Sequence, residues 1–290
     1  MPTRRNKHFM QLVLLMISKI EEFVYERAGW YISNKFRTKY LEWEKRNFIL
    51  NPLQILSYGG GTQSTAMLIL MYEGKIPMVD LVIHSDTGSE LPETMEFIQI
   101  AKEFVEEKLK IPFVIVNSHR GTLHDDYMKN NNIPIRGFGS CTSNFKIKPQ
   151  RRFVRAIVGR KNKHMAIAKL GITIDESKRR SVSDVKWLSI EFPLLDIYPI
   201  SREECIKINS NFGWKVQKSG CFCCPHQSGN SWKQLKLEHP ELFEIAVKME
   251  ELKFKFKKGK IGLFQENRLS QIDSLDLKES KCESSAGCFL

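Results

Sequence analysis

Leu53-Gln54-Ile55-Leu56-Ser57-Tyr58-Gly59-Gly60-Gly61-Thr62-Gln63-Ser64-Thr65 decides the fold. A short apolar run, Gln54 to Ser57, stops at three consecutive glycines, and Ser64 to Tyr72 is helix-like and apolar on one side. The reading is strand, glycine turn, helix. Downstream, Asp80-Leu-Val-Ile-His84 reads as a second buried strand ending in Ser85-Asp86-Thr87-Gly88, a helix follows from Pro92 to about Leu109, and Phe113–Val116 is a third strand. Residues 163–171 and 187–198 read as further strand and loop segments, 202–212 as a helix and 240–257 as another. Strands alternating with helices at this spacing predict an α/β fold with a parallel sheet covered on both faces.

Around that block, residues 1–50 read as an N-terminal helical extension, 51–230 as the nucleotide-binding domain and 231–290 as a C-terminal helix with a cysteine-containing tail. Residues 9–48 interleave Tyr25, Trp30, Tyr31, Phe36, Tyr40 and Trp43 with Lys and Arg, the pattern of an amphipathic helix or of a base-stacking surface. The run Phe9 to Ile17 is too short to span a bilayer and is followed by Lys19, Glu21 and Glu22 rather than a cleavage site, so neither a membrane anchor nor a secretory leader is expected.

The chain has 290 residues, 42% hydrophobic, with seven cysteines and a formal net charge of +12. That excludes a disordered chain and a disulfide-stapled secreted scaffold. An odd, sparse set of thiols points to metal or redox chemistry in a reducing, cytoplasmic compartment. The charge is local: residues 141–220 hold 17 basic against 7 acidic side chains, whereas 51–140 hold 7 against 11. A field concentrated in this way attracts phosphate, sulfate or nucleic acid.

Three motifs carry chemistry. The turn Gly59–Gly61 can aim backbone N–H groups at one point ahead of a helix N-terminus, an anion cradle, although it lacks the Gly-Lys-Ser/Thr ending of a Walker loop and the dinucleotide spacing. Asp86-Thr87-Gly88 stands at the carboxyl end of a strand, where open α/β sheets bind ligands, and reads equally as a cap and an ordinary turn. Cys221-x-x-Cys224, with Cys141 far upstream and Cys282 and Cys288 in the tail, has a spacing that suits zinc or iron–sulfur, whereas Cys205 reads as a plain buried thiol.

Taken together and in order, the glycine loop, Asp86-Thr87-Gly88 with Glu93-Thr94, Cys141 followed by Lys146-Ile147-Lys148-Pro149, Gly171-Ile172-Thr173 leading to Glu176-Ser177 and Arg179, Tyr198-Pro199-Ile200, and Gly220-Cys221 with Cys224 resemble the phosphoadenylyl-sulfate/adenylyl-sulfate reductase family of the PP-loop, adenine-nucleotide alpha-hydrolase-like superfamily. The resemblance runs from about Gln54 to Gln227 and implies a Rossmann-like sheet. It implies that Ser57, Tyr58, Gly59, Gly60, Gly61, Thr62, Gln63 and Ser64 hold the phosphates of an adenine nucleotide, ATP or adenylyl sulfate, with Asp86 and Thr87 on its ribose and base side. Lys146, Lys148, Arg151, Arg179 and Arg180 would face the sulfate or phosphate end. Iron–sulfur relatives use a tandem Cys-Cys and a later Cys-x-x-Cys, which places Cys141, Cys221 and Cys224 as three ligands of a 4Fe–4S cluster, with Cys288 as a tail candidate for the fourth.

Three departures accompany the resemblance. Thr142 stands where the second tandem cysteine would be. Gln63 occupies the position that is acidic in the ATP-hydrolysing branch, and a neutral amide binds magnesium poorly. The tail, Lys281-Cys282-Glu283 through Gly287-Cys288, has the content but not the order of the reductases' Glu-Cys-Gly motif. In the reductase form Cys282 or Cys288 would be the nucleophile, with an electron donor such as thioredoxin. Two other classes of function fit the same residues: sulfur transfer or adenylation on nucleic acid, using the basic segment 141–220, and a non-catalytic nucleotide-binding accessory protein.

Overall fold

The computed structural model describes residues 52–158, 165–216, 219–257, 261–264 and 267–274. Strand β1 (Leu53–Tyr58) leads through the glycine turn into helix α1 (Thr62–Tyr72), and β2 (Leu81–Asp86) into α2 (Pro92–Phe104), which a π-helical turn extends over Val105–Leu109. There follow β3 (Phe113–Asn117), α3 (Leu123–Lys129), a π-helical turn at Thr142–Ile147, α4 (Lys148–Val158), β4 (Ala166–Lys169) and a 3-10 helix at Ile174–Arg179. The remaining elements are β5 (Leu188–Glu191), the short α5 (Pro193–Asp196), α6 (Arg202–Asn211), α7 (Gly229–Glu238), α8 (Pro240–Phe256) and a 3-10 helix at Leu269–Ser274. The expected N-terminal extension and the tail cysteines Cys282 and Cys288 lie outside the described residues.

The five strands form one sheet in the order β3-β2-β1-β4-β5. The pairings β1–β2, β1–β4 and β4–β5 are parallel, in the registers Ile55↔Leu81, Leu53↔Ala166 and Ala166↔Leu188. This is the Rossmann-like α/β architecture expected from the strand and helix alternation. The order reverses at β1, so the turn leaving its carboxyl end lies at the topological switch point, where such sheets bind ligands. Helix α1 is buried on all sides through its middle, Ala66 to Met71 being at most 2% exposed, which is why its sequence is apolar all round. Helix α4 instead buries Phe153, Val154, Ile157 and Val158 along one stripe and leaves Arg152 exposed.

The chain divides into two compact units: the first holds the described residues of Met1–His84, Glu96–Ile115 and Arg151–Gln217, the second those of Ser85–Met95, Val116–Gln150 and Lys218–Leu290. The first is built on the sheet, and in it α1 packs against α6, where Asn209 Nδ2 donates to the Thr62 carbonyl at 3.0 Å. The second has its own core, in which Leu123, Tyr127, Phe145, Trp232, Phe243 and Met249 are buried together. There Glu250 accepts from the backbone N–H of Leu263 (2.9 Å) and Leu269 (3.0 Å) and so ties the chain after α8 back onto that helix. No helix among the described residues is long and apolar enough to cross a membrane.

Candidate functional site

In the first unit the turn after β1 is shaped by its glycines. Gly60 has φ 71°, a left-handed conformation that glycine adopts without steric cost. The Gly59 N–H donates to Ser64 Oγ (3.3 Å), and that hydroxyl donates to the Gly61 carbonyl (3.1 Å), which ties the turn to the first helical turn. Gly61 is the N-cap of α1 and has no side chain to take up the helix's first N–H groups. The positive end of an eleven-residue helix therefore meets a concave backbone, an arrangement suited to an anion.

Three residues from beyond β4 complete this end of α1. A Cβ on Gly171 would lie 3.0 Å from Ser64 N and 3.1 Å from Gln63 Cβ, so glycine is what lets the chain leaving β4 rest against the helix's first turn. Gln63 Nε2 donates to Glu176 Oε2 (3.2 Å), and Arg179 Nη1 donates to Glu176 Oε1 (2.7 Å). Glu176 is 5% exposed, so a buried carboxylate is closed on one side by an amide and on the other by a guanidinium. This gives Gln63 a physical reason: an acid there would set two carboxylates against each other, whereas the amide donates.

Other candidates of this unit have partners within the protein. The Tyr58 ring is 1% exposed, its hydroxyl is 3.1 Å from Thr65 Oγ1, and its carbonyl is 3.0 Å from His84 Nδ1. Burial pushes that phenol well above its ordinary range. Arg180 pairs with Asp196 (2.9 Å) and lies over the Phe192 ring, while Arg151 pairs with Asp184. Cys205 is fully buried and pushed up to about 12, the inert thiol expected there.

The second unit gathers a different set. Asp86 takes the Gly88 N–H (2.7 Å) and the Asn117 amide (3.1 Å). Thr87 Oγ1 donates to Glu90 Oε1 (3.2 Å) and lies 3.2 Å from Cys221 Sγ. The Glu90 carboxylate, with its side chain 3% exposed, also receives the Cys221 thiol at 3.6 Å and Lys146 Nζ at 3.6 Å. Burial, and after it the Glu90 carboxylate, pushes the Cys221 thiol well above its ordinary range, so it is protonated here. Lys148 Nζ donates to Asn144 Oδ1 (2.7 Å). Cys224 donates its N–H to the Cys221 carbonyl (3.0 Å), while Cys141 packs against the unit's apolar core.

Sequence reasoning did not find Glu90 as the centre of this group; the only signal was an acid two residues past Asp86-Thr87-Gly88. Among the described residues no three His, Cys, Asp or Glu side chains are grouped to hold a metal ion.

Comparison with known proteins gives one family: residues 54–210 match the phosphoadenosine phosphosulfate reductase domain. Among curated proteins none matches the chain. Many solved structures are similar, two among them as follows. One is a phosphoadenylyl-sulfate (PAPS) reductase from Candida auris in a phosphate complex, 11% identical, covering 69% of this chain and 87% of its own, with a TM-score of 0.41. The other is the U34-tRNA thiolase NcsA from Methanococcus maripaludis with its [4Fe-4S] cluster, 18% identical, covering 76% of this chain and 79% of its own, with a TM-score of 0.37.

Proposed function

The chain belongs to the phosphoadenosine phosphosulfate reductase domain family, and from that premise we propose that it is an enzyme of sulfur reduction or transfer that binds an adenine nucleotide, ATP or adenylyl sulfate, at the glycine turn before α1. The observation that carries this reading is the uncapped start of α1 with Gly171 packed against it. The backbone N–H groups there would hold a phosphate, and the Gln63–Glu176–Arg179 chain would hold the rim of the cradle in shape. Magnesium would be an optional companion of ATP, since Gln63 offers no carboxylate.

A thermal-shift series on the full chain with adenylyl sulfate, its 3′-phosphorylated form and ATP tests the binding. At a hundred-fold excess over Kd a ligand adds about 2.7 kcal/mol, a rise of several degrees in Tm. Gly171→Ala should weaken the effective nucleotide at least ten-fold, because its Cβ would press on Ser64 N. No shift with any of the three nucleotides rejects the proposal.

In the reductase form a thiolate of Cys282 or Cys288 would attack the sulfur of the adenylylated sulfate. The S–O bond to the phosphate breaks, the nucleotide leaves with the electron pair, and a dithiol donor of the thioredoxin type then reduces the S-sulfo intermediate to free sulfite. Sulfite release that is equal in the Cys282→Ser and Cys288→Ser variants excludes this step. The reading includes a 4Fe–4S cluster if Cys288 joins Cys141, Cys221 and Cys224; iron and acid-labile sulfide in anaerobically purified protein decide that part, and no step above depends on it.

A second reading keeps the nucleotide site and changes the acceptor to nucleic acid. It is favoured by one observation: Lys148, Arg152, Lys178 and Lys186 of the basic segment are exposed.

A further inference from the structure

The first unit has an aromatic face that the nucleotide site does not use. Tyr72 ends α1, Phe97 and Phe104 lie on α2, and Phe212 and Trp214 follow the end of α6. Their rings meet edge to face, with centroids 5.4 Å apart for Tyr72–Phe104, 4.9 Å for Phe104–Trp214 and 5.6 Å for Phe97–Trp214. Phe97, Ile100 and Phe104 recur at three- and four-residue steps, so they share one stripe of α2 beside the buried Ile98 and Ala101. Among the described residues this stripe is not closed over: Tyr72 is 51% exposed and Ile100 50%. A contiguous apolar face marks a contact site in a way that scattered exposed side chains do not.

The position of the face says what covers it. A helix that follows a parallel strand runs back toward the edge where the strands begin, so the last residues of α1 and α2, Tyr72 and Phe104, return to that edge. Strand β1 starts there too: the Leu53 N–H donates to the Met165 carbonyl (2.9 Å), and Gln54 and Asp80 exchange bonds of 2.8 Å just ahead of β2. The chain preceding Pro52 therefore enters at the edge that carries the aromatic face. Trp43 stands ten residues before Leu53, a reach of about 15 Å if helical and about 33 Å if extended.

That preceding chain is the stretch in which Trp30, Tyr31, Phe36, Tyr40 and Trp43 alternate with basic residues, and residues 1–50 hold 10 basic against 5 acidic side chains. The exposed carboxylates on and just after α2, Glu96, Glu103 and Glu107, border the stripe with the opposite sign. We propose that the aromatic side of residues 20–48 packs on this face, covering Tyr72 and Ile100, with its basic residues over these carboxylates.

Hydrogen–deuterium exchange on the full chain tests this. Backbone amides of 20–48 should exchange at least ten-fold more slowly than in Ile100→Glu, a substitution at a half-exposed site that leaves the buried side of α2 intact. The reciprocal Trp43→Ala should release the same amides. A benzophenone amino acid in place of Ile100 should cross-link within one chain to residues 20–48. Exchange at the same rate in native and variant chains overturns the proposal, and so does cross-linking between two chains, which would make a second copy the occupant.

Discussion

Lys169 sits in a buried strand with its ammonium 2.7 Å from Glu191 Oε2, and the two residues are register partners across β4 and β5. The lysine is 3% exposed while the glutamate side chain is 44% exposed, so the cost of breaking the pair falls on the lysine. Glu191→Ala leaves the buried ammonium only its weaker interaction with the Asp80 carboxylate and should cost about 2 kcal/mol, less than a fully buried pair loses, because water and Asp80 still reach this end. Lys169→Met combined with Glu191→Ala should recover most of that loss, since an apolar side chain of similar length suits the site. Urea melts of the two variants check both values; equal losses would show that the pair is not what holds this corner. The contrast with Gln63 shows what one residue reveals in sequence. Its place in a glycine turn was legible because turn and helix are local. Its bond to Glu176, 113 residues away, was not, because β4 had first to pair beside β1.

The elements that were legible carry their own end signals. Ser201-Arg202-Glu203-Glu204 is a capping box: Ser201 Oγ accepts from the Glu204 N–H (3.2 Å), and Glu204 Oε2 accepts from the Ser201 N–H (2.7 Å). Ser201→Ala should cost α6 about 1 kcal/mol, read as a lowered denaturation midpoint. The Ser201 backbone N–H, then its side chain, hold the Glu204 carboxyl below the usual glutamate range. A carboxyl depressed on folding stabilises the fold above its unfolded value and loses that contribution as pH falls through its folded value. Glu204→Gln should therefore lower Tm slightly at neutral pH, where the charged contribution is complete, and flatten the acid limb below about 4.5; an acid limb identical to the native one would refute the linkage. The sequence pattern ran α2 on to Leu109 as one helix. The structure ends the α-helical ladder at Phe104 and widens the last turn into a π-helix, stopped by Lys110 at φ 58°. Nothing local marks that change, since Val105 and Leu109 stay buried as in a helix. Helix α7 escaped notice because it directly follows the cysteine turn; its one start signal was Ser228, whose Oγ accepts from the Ser231 N–H (3.1 Å).

At the scale of the molecule the question is whether the basic excess serves one small anion or a polymer. Residues 141–220 hold 17 basic and 7 acidic side chains. Five of those acids, Glu176, Asp184, Glu191, Asp196 and Glu203, are spent on Arg179, Arg151, Lys169, Arg180 and Lys207. All three arginines expected to face a sulfate, Arg151, Arg179 and Arg180, thus have acidic partners, and the exposed cations of this stretch in the first unit include Arg152, Lys178 and Lys186. A small nucleotide held by backbone N–H groups releases few counterions, so its thermal shift should change little between 50 and 200 mM salt. A single-stranded oligonucleotide that meets about three of these cations should lose affinity with a slope of about −2 in log K against log salt. Arg152→Glu with Lys178→Glu should make that slope shallower by one to two and leave the nucleotide shift intact, because neither side chain belongs to the glycine-turn site. Fluorescence anisotropy across a salt series separates the outcomes: a steep slope that the double variant relaxes assigns the field to a polyanion, while a flat slope leaves the charge to the nucleotide alone.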